Sequence, residues 1–563
     1  MSSSAELRVR GPVDLDRALT RPSLSARLGQ FDGVDGLRVA LWLVCGGVVV
    51  LPLSAIIVLA VSNNHLPLLL GGDIARAGLD SLVSAILSAV GAVLLGTAFA
   101  LLLDRSDLHG RRALRLLALT PLLVPPFVGA IAWIGIAGPT GPANVAWTDW
   151  FGGPLWNIYG GDGVVFLLIV HSYPIAYIIV SAALRRVPSD LEQAARIGGA
   201  SAFRAVAGVT LPLLRPAVLS AFTLIAVSNL ADFGIPSIIG LPERYVTLST
   251  LVYRYIQSGT VESPLEVVAT IGIVLLILAV VAMVIDLLLS RSRWELDQSA
   301  SPPQPIRLGR ARKATTITTW AVVLGLTVMP LLALLSQALL PAPGVPLIWS
   351  NLTLDNLIRA TTAPGTIVGA TNSVVLSVLA GLICTILGLA IGTIVTRTRA
   401  RSNAGLHTLA MLPQAIPGLV IAVGWLIIAP RIGLFNTPWL ILCAYVMSFV
   451  ALVVQSVSAP LRATPLTAEE AARISGASRL RALFDISWRM AVPAALAGGT
   501  LVTLTAVREL TISVLLLSPG SQTLGVSIFS LQQAGAYNAA SALSLIVTLV
   551  GLVGLGLMAR QPR

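Results

Sequence analysis

The chain has 563 residues, a formal net charge of +12 and 56 % apolar residues, with only 11 % Asp, Glu, Lys or Arg and a mean hydropathy of +0.88. Soluble domains carry about 25 % charged residues, so this composition excludes a soluble protein, a disordered chain, a collagen and a disulfide-stapled secreted domain. It predicts an all-α polytopic membrane protein. The positive charge does not point to nucleic acid: the basic residues sit in short clusters between long apolar runs, which leaves no continuous basic face to follow a phosphate backbone.

Residues 1–36 form a polar tail bearing Arg8, Arg10, Arg17, Arg21 and Arg27. The apolar run that follows is too long for a signal-peptide core and reads as a retained helix. A bilayer span needs about 20 mostly apolar residues. Twelve such runs follow one another: 37–61, 79–103, 114–137, 164–184, 212–240, 265–290, 316–340, 371–396, 406–429, 438–461, 491–517 and 538–559. Polar residues interrupt those at 212–240 and 491–517. Residues 291–315 are polar, basic and proline-bearing, and read as an inner linker between a first half, 37–290, and a second half, 316–563. Cys45, Cys384 and Cys443 each lie inside an apolar run and read as small buried hydrophobes. His65, His109, His171 and His407 are scattered and form no metal-ligand motif. No metal site and no catalytic residues are expected on this chain.

Positive charge orients the bundle. With the N-terminus in the cytoplasm, the six outer loops hold Arg76, Arg244, Arg254, Arg359 and Arg431, and Arg508 falls inside a span. The other basic residues gather in and about the two tails and the five inner loops. The expectation is a multi-pass protein of the cytoplasmic membrane with both termini inside.

The two halves repeat one another. Residues 184–220 align without a gap on 461–497, with sixteen identities, and the strongest stretch is LEQAARIGGAS from Leu191 against AEEAARISGAS from Ala468. Upstream, Ser81, Gly96, Arg105, Pro121, Pro125 and Trp133 match Ser373, Gly388, Arg397, Pro413, Pro417 and Trp425. Six spans per half is an even number, so the repeats point the same way across the membrane and are parallel.

The duplicated segment is an inner loop between the fourth and fifth spans of each half. Glu192, Ala195, Arg196 and Gly199 fall on one helical face, Ala194 keeps the surface low, and Glu192 with Arg196 forms an i,i+4 pair. Glu469, Ala472, Arg473 and Gly476 repeat the pattern. A small-residue helix with fixed charges suits a groove on another protein.

The run Gln193-Ala194-Ala195 with Gly199, and Glu470-Ala471-Ala472 with Gly476, resembles the signature loop of permease subunits of binding-protein-dependent ABC importers. In that family the loop is the coupling helix that docks on the ATPase. The resemblance implies two copies of a separate ATPase, a binding protein outside the membrane, and a lipid-embedded permease as the role of this chain. Two departures stand out: Gln193 replaces the usual Glu, and Arg489 stands where a Leu-Pro proline is expected. The fused layout, with NLADFGIPSIIG at 229–240 and VRELTISVLL at 507–516, is similar to ferric-iron permeases. Thiamine, polyamine and phosphonate remain alternative cargoes.

A phosphate-binding loop needs Gly-Lys-Ser/Thr. The single lysine, Lys313, follows Arg312. No cofactor is therefore expected on this chain, and ATP use belongs to the partner. An ion-coupled secondary transporter is the alternative class, but it has no use for a duplicated docking loop. Ionisable residues within spans are costly and mark function by default. Asp232 aligns with Glu509; Asn229 lies near the first and Arg508 beside the second. With helices starting near 217 and 494, these residues lie toward the outer end of a translocation pathway, or else they form a structural cluster between the halves. The Trp-rich outer segment with Trp147, Trp150 and Trp156 reads as an interfacial anchor.

Overall fold

The computed structural model describes residues 32–62, 71–258, 263–290 and 306–559. Most of the tail, residues 1–31, and most of the linker, 291–305, lie outside the described residues. Among the described residues the elements are all helices, with one isolated parallel bridge, Ser106 to Ile306. Within hydrocarbon every backbone N–H and C=O must be satisfied inside the segment, and helices do this.

The first half contains α1 (Gly33–Ser62), α2 (Gly72–Arg105), α3 (Arg111–Leu122 with Pro126–Phe151), α4 (Gly161–Leu184), α5 (Ala202–Leu230) and α6 (Pro264–Ser290). The second contains α7 (Gly309–Leu339), α8 (Pro364–Arg397), α9 (Ser402–Ala415 with Gly418–Ile432), α10 (Pro438–Ala463), α11 (Arg479–Val507) and α12 (Tyr537–Ala559). A helix lies over each of the twelve expected runs; among the described residues nine are long and apolar enough to cross a membrane, and eleven if each bent pair is one span.

Two of them are not straight. α3 bends by 105° and α9 by 107°. Pro125 and Pro126, and Pro417 in the second half, remove backbone donors and clash with the preceding turn. The residue before each such proline is extended: Pro125 at φ −55°, ψ 141° and Ile416 at φ −97°, ψ 131°. Two further spans end early. The runs read as 212–240 and 491–517 are helices that begin at Ala202 and Arg479 and stop at Leu230 and Val507, each followed by a short separate turn of helix.

Close helix packing rests on glycine. A Cβ at Gly96 of α2 would meet the Tyr173 carbonyl and Tyr177 nitrogen of α4 at 2.7 Å. A Cβ at Gly388 of α8 would meet the Val453 side chain of α10 at 2.6 Å and the Val454 nitrogen at 3.2 Å. Without a side chain the backbones approach, the usual device where lipid removes the hydrophobic drive for helix association.

The first helix of each half crosses to the other half. Arg38 of α1 donates to the Thr398 hydroxyl at 3.2 Å, and Leu480 sits against Gly33. At the start of α7, Arg312 pairs with Asp107 at 3.5 Å. Asp107 also accepts the Leu308 N–H at 3.0 Å; that bond chiefly, with Arg312, holds its carboxyl below the usual carboxylate range. α1 therefore starts beside the repeated loop of the second half, and α2 returns to the repeated loop of the first. Both loops lie on one face of the bundle, as a parallel repeat requires.

Candidate docking loops and a cavity between the halves

Each repeated loop is a short helix, Ser189–Ile197 in the first half and Leu466–Ile474 in the second. Both start after a proline, Pro188 or Pro465. Both end in the same turn: the Gly199 N–H donates to the Arg196 carbonyl and the Ala200 N–H to the Ala195 carbonyl, and Gly476 and Ala477 do the same with Arg473 and Ala472. Gly199 and Gly476 sit at φ +91° and +94°. This is the Schellman closure, whose left-handed residue favours glycine. Ser201 and Ser478 then cap the next helical turn through the backbone N–H of Arg204 and Arg481.

The expected Glu192–Arg196 pair does not form. Glu192 turns inward to Arg105 at the end of α2, at 2.5 Å, and accepts the Thr210 hydroxyl. Glu469 likewise meets Arg397 at 2.7 Å and accepts the Ser487 hydroxyl. The pair fails because Glu192 is buried, with Ser189, while Arg196 is exposed, and a buried carboxylate needs a buried cation. Each glutamate ties its loop to the second span of its own half.

The outward face is left to the rest of the loop. Gln193, Ala194, Arg196 and Gly199 are exposed, as are Glu470, Ala471, Arg473 and Gly476, while Ala195 and Ala472 are half-buried. The largest apolar groups there are Ile197 and Ile474, each 88 % exposed, joined in the first half by Phe203 at 81 %. Their exposure was not legible from the sequence, although the two isoleucines are identical and aligned.

A second site lies where α5 and α11 stop. The Asp232 carboxylate accepts the Ile235 N–H at 2.9 Å. That of Glu509 accepts the N–H groups of Ile512, at 2.9 and 3.0 Å, and Ser513, at 3.2 Å. Both carboxylates thus cap the turn that follows a broken helix. The break at Val507 also lets the neighbours Arg508 and Glu509 face the same space, which an unbroken helix forbids. Arg508 reaches into the other half and donates to the carbonyls of Leu122 and Leu123, at 3.1 and 2.9 Å. Those carbonyls are freed by the bend in α3.

Asp232, Arg508 and Glu509 line a cavity of about 630 Å³ between the halves, with His171, Gln414 and Ser448 among its other polar groups. Asn229 is not among the lining residues. It accepts from Ser172 at 2.7 Å and donates to Ser88 at 2.8 Å, binding α2, α4 and α5 together. Beside Asp232 in the chain, Phe233 packs with Tyr253 and Phe529 in an aromatic cluster across the halves, with ring centres 5.2 to 5.8 Å apart.

Comparison with known proteins adds to this geometry. The family model described as "Binding-protein-dependent transport system inner membrane component" matches residues 92–295 and 385–563, once in each half. The chain is 23 % identical over 463 residues to the Fe(3+)-transport system permease protein FbpB 2 of Haemophilus influenzae, covering 82 % of this chain and 85 % of that one. It is 24 % identical to the ferric transport system permease protein FbpB of Actinobacillus pleuropneumoniae, over 81 % of this chain and 66 % of the relative. Over 35 % of its length it is 30 % identical to the molybdenum transport system permease protein ModB of Escherichia coli, of which it covers 84 %.

Proposed function

The chain belongs to the family of binding-protein-dependent transport system inner membrane components, and from that premise we propose that it is a fused permease passing ferric iron through the cavity between its two halves. The observation that carries the permease reading is the pair of equivalent loops with exposed Ile197 and Ile474 on one face of the bundle. The iron reading rests on its similarity to the two ferric permeases.

Each loop docks one copy of a separate ATPase on the cytoplasmic side, where both termini also lie. Glu192, Gln193, Ala194, Ala195, Arg196 and Gly199 form the first coupling loop, and Glu469, Glu470, Ala471, Ala472, Arg473 and Gly476 the second. Glu192 and Glu469 anchor the loops to α2 and α8, so a push on either helix moves a span. A binding protein outside the membrane delivers the cargo. Asp232, Arg508 and Glu509 line the pathway, and Asn229 has a structural role beside it. The domain units are the tail 1–36, the half 37–290, the linker 291–315 and the half 316–563.

The experiment is uptake of labelled ferric iron, thiamine, putrescine and aminoethylphosphonate by cells with and without the gene. Loss of iron uptake alone is expected on deletion. Intact iron uptake with loss of one of the others overturns the cargo and leaves the permease.

A further inference from the structure

The cavity carries one fixed guanidinium that the repeat does not duplicate. Arg508 of the second half stands where the first half has Ala231. Its NH1 group is committed to the carbonyls of Leu122 and Leu123. A guanidinium has five N–H donors in a planar fork. The Nε–H and the two hydrogens of NH2 have no hydrogen-bond or ion-pair partner among the described residues.

The carboxylates of the same wall are largely engaged by backbone N–H groups. Glu509 spends both oxygens on the N–H groups of Ile512 and Ser513, and Asp232 points one at Ile235. Among the described residues no group of three or more His, Cys, Asp or Glu side chains stands close enough to hold a metal ion. A hard cation stripped of its oxygen ligands needs such a cage, and a bare charge without its ligands is costly away from bulk water. A guanidinium fork, by contrast, matches the paired oxygens of a carboxylate or phosphate.

Resting on the ferric-iron reading, we propose that the ion crosses this cavity as an anionic, oxygen-rich chelate, and that Arg508 binds the oxygens of the chelator. His171 and Gln414 add polar groups to the same wall. The chelator travels with the metal and keeps it coordinated throughout.

The test uses the assembled importer, this chain with its ATPase and binding protein, in proteoliposomes. Labelled ferric iron is supplied as its complex with labelled citrate in one arm and with labelled phosphate in another. Entry of citrate or phosphate with iron in a fixed ratio is expected. Arg508→Gln should reduce entry of both by about tenfold, the worth of one charge-assisted hydrogen bond, through a higher half-saturating iron concentration. Arg508→Lys, which retains the charge, should keep the fixed ratio with a smaller loss. ATPase recruitment reports assembly, and if the Gln variant fails to assemble, the Lys variant and the co-entry ratio decide. Iron entry with neither anion overturns the proposal and leaves the ferric-iron reading standing, as does undiminished co-entry of iron and anion by an assembled Gln variant. No iron entry by the unaltered importer in either arm overturns both.

Discussion

Arg105 and Glu192 hold the first repeated loop to its half through an ion pair whose arginine is almost wholly enclosed. Removing one member of a buried pair leaves the other charge uncompensated, at about 3 kcal/mol or more. Arg105→Ala and Glu192→Gln are therefore each expected to lower the melting temperature of the purified chain in detergent. The double variant should lose less than the sum, because the residues interact directly; simple additivity in that cycle would mean the pair is not coupled. Arg105 and Arg397 could be matched in sequence, and Glu192 and Glu469 likewise. That the matched pairs meet each other could not be seen, because the local partner Arg196 was equally near along a helix. Arg508 shows the same limit: its carbonyl partners lie in the other half, and only the bend in α3 frees them.

At the scale of the element, the prolines were legible and their consequence was not. Pro125 and Pro417 occupy matched positions, yet hydropathy alone gives straight spans at 114–137 and 406–429, since apolar character continues through the bend. The helix breaks after Leu230 and Val507 left a trace in sequence, as the polar residues that interrupt the runs at 212–240 and 491–517. Gly96 and Gly388 were aligned too, and the structure supplies their purpose as points of backbone contact. Gly96→Leu has no room against α4, so that variant should reach the membrane poorly, as measured by quantitative blotting of membrane fractions. Accumulation at the unaltered level would contradict the packing described. Gly199 and Gly476 meet no neighbour, so their constraint is conformational. Alanine at either position costs about 1 kcal/mol in the left-handed region. The expected effect is weaker coupling of ATP hydrolysis to transport with little change in melting temperature.

For the whole molecule, two parallel halves place two like loops on one face and a cavity of about 630 Å³ between them, and the first helix of each half locks it to the other. Charge segregation and the internal repeat made this arrangement readable from sequence, because both are properties of whole segments. The cavity wall was only partly readable: Asp232, Arg508 and Glu509 line it, and Asn229 does not. The chain purified alone is expected neither to bind nor to hydrolyse ATP, since it has no Gly-Lys-Ser/Thr; equilibrium binding of labelled ATP checks this. The central claim is that a separate ATPase drives this permease through both loops. Its most direct measurement is the stoichiometry of the complex, by native mass spectrometry, for the unaltered chain and for Ile197→Asp, Ile474→Asp and the double variant. The account predicts two ATPase copies, then one at most for each single variant, then none, with ATP-driven uptake lost in the double. Two copies retained in the double variant with uptake intact would contradict it.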